Sequence, residues 1–353
     1  MAAVGVVVAM VPGVATAGSD SEERVVPKVE GLDGPRGLAV GPPRRLVYSQ
    51  ADGSITQTVL RGDNAGTTLL GEVEPQFLAP AVSQRDFKSA HILTVGGAPG
   101  SGAGTLYVWT KASGEVTPVA DIAAYQVTDP DPDDQEDNPT DSNPYGVASL
   151  EDGSALVADA AGNDLLRVWP NGDIVTVARL KPRVVRVGEE FADDPDFPPP
   201  GTPITSEAVA TSVTVGADGA YYVGELRGFP STVGTSQVWR IEPDSVDAVC
   251  NPKKPNEGAC TRYADGFTSI QDLAAGPDGE LYVLELVKAG WLQWEVGIAE
   301  PIGGLFRMPP GGGEPDELAP DRLTLPGGVA VSSKGRPFIA GPIFGEGAVA
   351  RIR

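Results

Sequence analysis

Five times along this chain a short apolar run, a tight turn and a second run of alternating apolar residues follow one another in one register. Gly276 to Glu285 (GPDGELYVLE) is the clearest copy, and Gly41 to Gln50, Leu150 to Asp159, Gly216 to Glu225 and Ser332 to Gly341 align with it. Alternation with a period of two marks strands, and an Asx/Gly turn between two such runs joins them antiparallel. A third strand follows in most units, as in Leu165 to Val168, Val238 to Ile241, Leu305 to Met308 and Val349 to Ile352. A fourth closes the unit at Ile174 to Ala178 and at Thr261 to Ala264. Four antiparallel strands, repeated around a closed ring, predict an all-β chain folded as a β-propeller.

The five clear copies begin near Pro35, Pro144, Ala210, Ile270 and Pro326, and the first gap is about twice as long as the others. It holds a degraded unit, with strands expected near Ile92 to Val95, Thr105 to Trp109 and Glu115 to Ala120. The prediction is therefore six blades over residues 24–353; a five-blade ring would leave those apolar strands without a place. The last unit stops at Arg353, just after its third strand. Arg24 to Val29, followed by Gly31-Leu32, resembles the blade junction at Tyr263 to Phe267. This N-terminal strand is expected to close the ring and to leave no unpaired edge at the seam.

The turns explain the 45 glycines and 33 prolines. No apolar run in the body is long enough to span a membrane. Residues 1–17 read as a signal peptide, with an apolar Ala2 to Val14 and a small-residue Ala15-Thr16-Ala17 cleavage site, and 18–23 as a linker. The expectation is a secreted or extracytoplasmic protein, read as a monomer. Cys250 and Cys260 flank a polar loop between the third and fourth strands of blade four. Two cysteines do not make a four-ligand zinc site, and a disulfide fits an exported chain. A net charge of −22 argues against nucleic acid and anionic lipid as partners.

In a propeller the start of each first strand and the end of each second strand meet on one face. The repeat register places Arg36, Tyr145, Thr211, Gln271 and Gly327 at first-strand starts, followed by Gly37, Gly146, Ser212, Asp272 and Gly328. At second-strand ends it places Gln50, Asp159, Glu225, Glu285 and Gly341, with Asn143 at the tunnel rim. The candidate ligand-binding set on this polar tunnel face is Arg36, Gln50, Asn143, Tyr145, Asp159, Glu225, Gln271, Asp272 and Glu285. Asn143, Asp159, Glu225, Asp272 and Glu285 form a candidate set for Ca2+, a hard cation that takes six to eight oxygen ligands. The same acids would also suit a cationic or polyhydroxyl ligand. They would equally serve the fold, by accepting hydrogen bonds from a neighbouring blade or pairing with the repeated Arg167, Arg240 and Arg307.

Asp129 to Asp137 (DPDPDDQED) begins like an EF-hand loop but lacks its turn glycine and terminal glutamate, and reads as a solvated loop. His91 is the only histidine, so a multi-histidine centre is excluded. No glycine-rich phosphate-binding loop is present.

Several blocks are distinctive beyond the repeat. These are Gly31-Leu32-Asp33-Gly34-Pro35-Arg36-Gly37-Leu38-Ala39, Ala120 to Tyr125, Asp141-Ser142-Asn143-Pro144-Tyr145-Gly146, Ala158 to Leu166 and Ala220 to Pro230 (AYYVGELRGFP). In them the chain resembles the ScyD/ScyE family, named for scytonemin biosynthesis, from about Val25 to the C-terminus. The resemblance implies an exported propeller and brings no catalytic residues with it. Three functions remain open: a binding module for a small molecule, glycan or protein; a hydrolase similar to calcium-dependent six-bladed lactonases and esterases; and a structural scaffold.

Overall fold

The computed structural model describes residues 24–41, 45–84, 86 and 88–353; the expected signal peptide and linker lie outside them. Six antiparallel sheets form the ring. Their innermost strands are Leu38–Gly41, Ala81–Ser83, Pro144–Ser149, Ala210–Val215, Ile270–Ala275 and Gly328–Val331. In the first five sheets the strands follow in sequence order from the tunnel outward, as consecutive hairpins require. The unit expected to be degraded, blade two, is a complete four-stranded sheet. Its first strand is only three residues long, too short to show an alternation.

Blade six is closed as the sequence predicts. Val25–Asp33 pairs antiparallel with Glu346–Ile352, with Val25 opposite Ile352 and Asp33 opposite Glu346. The C-terminal strand, which would otherwise form an edge, is thereby covered.

Apolar side chains fill the spaces between blades rather than the tunnel. Leu156, Ala158 and Leu165 of blade three pack with Val213, Val223 and Trp239 of blade four in one buried cluster. Burial of a large apolar side chain contributes roughly 1.5–3 kcal/mol, so these interfaces hold neighbouring blades together. Near the lumen the first strands converge so closely that side chains must be small. A Cβ on Gly146 would stand 2.7 Å from Thr211 O, and one on Gly328 would stand 2.2 Å from Arg36 O.

Blades three and four are joined by more than packing. Ala248–Cys250, in the connection between the third and outer strands of blade four, pairs in parallel with the outer strand of blade three, Ile174–Leu180. The expected disulfide forms between Cys250 on this lent strand and Cys260 at the start of blade four's outer strand, with Cα atoms 5.0 Å apart. It therefore spans the seam between two blades. Among the described residues no helix is long and apolar enough to cross a membrane.

Candidate functional site

All six first strands contribute to a narrow polar belt just inside the tunnel. Arg36 lies across it, 4% exposed. Its Nη1 donates to Ala79 O at 3.0 Å, its Nη2 donates to Tyr145 O, and its guanidinium carbon sits 3.7 Å from the centre of the Tyr145 ring. The Tyr145 hydroxyl accepts from Gln271 Nε2 at 2.8 Å, and the same nitrogen lies 3.2 Å from Gly327 O. Thr211 Oγ1 donates to Ile270 O at 2.6 Å. One hydrogen-bonded belt thus ties blades one, three, five and six across the lumen. The space it leaves is about 30 Å³, room for no more than a few waters.

Asp272 faces this belt. Its two oxygens accept from Leu273 N at 2.9 Å and Val329 N at 2.8 Å. It is half-buried and lines the lumen. Burial pushes its carboxyl up to about 6, against the backbone donors and the Arg36 charge, which pull the other way.

The second-strand ends behave differently from the expectation that they share the tunnel face. Each sits one strand away from the lumen; Gln50, Asp159 and Glu285 turn toward the chain arriving from the preceding blade, whereas Glu225 is held within its own blade. Gln50 Oε1 accepts from Asp33 N at 3.1 Å, Asp159 Oδ1 from Asn143 N at 2.7 Å, and Glu285 Oε1 from Thr268 N at 2.7 Å. Asp159 also accepts from Ser142 Oγ at 2.7 Å and from Ala161 N and Gly162 N at 3.1 Å. Glu225 is enclosed by Trp239 Nε1 at 2.6 Å, Gln237 N at 3.2 Å and the Arg227 guanidinium. Asn143 Oδ1 accepts from Gly96 N at 3.0 Å.

The five residues expected around one Ca2+ therefore do not fit that role. Asn143, Asp159 and Glu225 spend their oxygens inside their own seams, and only Asp272 borders the lumen. Among the described residues no three acidic, histidine or cysteine side chains gather as a metal-holding group. Nor do the repeated arginines serve the second-strand acids. Arg167 pairs with Asp152 at 2.7 Å and Arg240 with Asp218 at 2.9 Å, both hairpin-turn aspartates, and Arg307 pairs with Asp316 at 3.0 Å.

The acidic loop is tied down rather than simply solvated. Asp129 pairs with Arg179, Asp133 with Lys181 at 2.7 Å, and Asp131 accepts from Asn163 Nδ2 at 2.9 Å. Beneath it, Gln126 Nε2 donates to both Asp159 and Asp164, which face each other on adjacent strands. Burial first, and then the neighbouring Asp159, push the Asp164 carboxyl well above the usual range. His91 bonds through Nδ1 to Ser149 Oγ at 2.8 Å, bridging blades two and three.

Above the belt, loops from separate parts of the ring close the tunnel mouth with an apolar cluster. It includes Leu78, Val95, Leu286, Val287, Leu325 and Ile343, with Tyr145, Trp291 and Trp294 packed against it. On this cluster stands an aromatic shelf. Phe77, 82% exposed, lies 5.6 Å from Phe344, whose ring in turn lies 6.2 Å from Trp294 at an interplanar angle of 21°. The short helix Trp291–Glu295 carries Trp294. Repeat register could not find this shelf, because its rings lie on connections of unequal length.

No protein-family model matches the sequence, and no match is found among curated proteins. Solved structures match in fold. A glucose dehydrogenase shares 11% identity over 93% of this chain and 99% of its own, with a TM-score of 0.56. The PQQ-bound aldose sugar dehydrogenase of Streptomyces coelicolor shares 14% over 95% and 99%, with a TM-score of 0.53. Regucalcin of Agrobacterium tumefaciens, a calcium-binding protein, shares 9% over 93% and 94%, with a TM-score of 0.51. At such identities the likeness is to the propeller ring and not to a site.

Proposed function

We propose that this protein is an exported binding module of the ScyD/ScyE type whose ligand seats on the aromatic shelf over the tunnel mouth. The observation that carries this reading is the placement of Phe77 and Phe344, both open to solvent, beside the half-buried Trp294. An exposed apolar patch on an otherwise strongly acidic surface marks an interaction site. Aromatic ring faces suit the C–H faces of sugars and other flat or ring-shaped small molecules. The lumen below offers room for only a few waters and a belt of committed hydrogen bonds, so the ligand rests on the face instead of entering the tunnel.

The test is a glycan array followed by titration of the best binder, monitored by intrinsic tryptophan fluorescence. Phe77→Ala and Trp294→Ala are expected to weaken binding at least tenfold without altering the melting temperature by more than a few degrees. Unchanged affinity in both variants would overturn the reading. A hydrolase centred on calcium gains no support, since among the described residues the acids it requires do not gather into one metal-holding group.

A further inference from the structure

The repeat allows two equivalent buried acids to be compared directly. Glu225 of blade four and Glu285 of blade five end equivalent second strands. Glu225 has its counter-charge and donors supplied from within the fold, by Arg227, Trp239 Nε1 and Gln237 N. In blade five both side-chain donors are gone. Phe306 stands where Trp239 stands, since Val223 pairs with Trp239 and Val283 with Phe306. Val287 follows Glu285 at the spacing at which Arg227 follows Glu225. A phenyl ring has no N–H to donate, and valine has no charge.

Glu285 accepts instead from Thr268 N on Oε1, and among the described residues no donor reaches Oε2. Lys288, the nearby cation, is held by Glu317 and Asp321, each at 2.7 Å. The acid is 4% exposed. It lines a cleft of about 240 Å³ between blades four and five, walled by Tyr263, Phe267, Phe306 and Met308, with Glu314 at its edge. Asp265 also borders the cleft, but it is neutralised by Arg183 at 2.7 Å and Arg262 at 3.0 Å.

We propose that this cleft binds a small organic cation, a primary ammonium or guanidinium on an apolar body, with Glu285 as its counter-charge. The bound cation supplies the donors that Trp239 and Arg227 give to Glu225. Its apolar body packs on the aromatic walls, whose ring faces attract positive charge, and the acidic surface draws cations toward the opening. A buried carboxylate is tolerated only when paired or protonated. Burial raises the Glu285 carboxyl to about 8, with Lys288 opposing and Glu317 reinforcing the shift. At neutral pH the empty site therefore holds a proton, which leaves to solvent as the cation enters and the carboxylate forms. The cleft shares no residue with the aromatic shelf and stands or falls separately from it.

The test is calorimetric titration of the whole protein with 2-phenylethylammonium and butylammonium, in two buffers of different ionisation enthalpy, with 2-phenylethanol as the neutral control. Saturable binding of one ammonium is expected, at least tenfold tighter than the alcohol, with a proton released to the buffer. Affinity should rise about tenfold per pH unit below the carboxyl's own titration. The tighter of the two ammonium probes tells whether the cleft favours a free aromatic amine or a lysine-like chain. Glu285→Gln, which resembles the protonated acid, should keep the fold and lose the preference for ammonium over alcohol. Phe306→Trp should restore an internal donor and weaken binding. Equal binding of amine and alcohol, an unaffected Glu285→Gln variant, or no binding of either ammonium at millimolar concentration would each overturn the proposal.

Discussion

The guanidinium of Arg36 lies 3.7 Å from the ring centre of Tyr145, so a residue of blade one is stacked on a residue of blade three at the tunnel mouth. The same guanidinium bonds the carbonyls of Ala79 and Tyr145. Arg36→Ala removes the stacking and leaves both carbonyls without a donor. A loss of about 2–4 kcal/mol is expected, from buried polar groups left unsatisfied and a void beside the ring. Chemical denaturation of the variant checks it. Because Arg36 also holds the Asp272 carboxyl down, the variant should titrate Asp272 above the native value of about 6, visible by carboxyl-selective NMR.

Stability should fall as pH rises, opposite to the behaviour of salt-bridged acids. Glu285 rises from an ordinary 4.5 to about 8 and Asp272 from 3.8 to about 6 in the folded protein. Between the unfolded and folded values the native state binds more protons, so unfolding becomes easier with each step upward in pH. The stabilisation is complete below about 4, and the Asp272 share is lost by about 6 and the Glu285 share by about 8. Each unit of difference corresponds to roughly 1.4 kcal/mol, an upper bound once the fold relaxes around the charge. Melting temperatures measured across this range should decline. Glu285→Gln should flatten the upper part of the curve and Asp272→Asn the lower part.

Reducing the Cys250–Cys260 bond, or replacing both cysteines by serine, should cost about 2–3 kcal/mol, the loop-closure value for so short a loop. The site of the damage is more telling than its size. Because Ala248–Cys250 pairs with Ile174–Leu180, amide exchange should quicken in the outer strand of blade three as well as in blade four. Exchange confined to the loop between the cysteines would show that the lent strand holds without the disulfide.

The ring was legible because each hairpin repeats one pattern: apolar alternation, an Asx/Gly turn and alternation again. That pattern places the strands, and the missing outer strand of the last unit points to Val25–Asp33 as its replacement. The three-residue strands Ala81–Ser83 and Ala248–Cys250 were not legible, since so few residues show no period. The acids at the second-strand ends show a different limit. Register establishes that Asp159, Glu225 and Glu285 are equivalent, but not the direction in which each turns: Asp159 and Glu285 bond the chain arriving from the preceding blade, while Glu225 is enclosed by its own blade. That direction depends on which backbone N–H the incoming loop presents, such as that of Asn143 or Thr268. Equivalence still carried information, for it is the contrast between Trp239 and Phe306 that singles out Glu285.

The closing strand links positions far apart in the order of synthesis. Val25 waits for Ile352, so the segment made among the earliest is seated last. Until it is seated, the outer edge of blade six, Glu346–Ile352, stands open. Its cover therefore comes only after that last strand has been made. A chain stalled before Glu346 is left as an open arc with exposed strands, a ready target for proteases and for pairing with other chains.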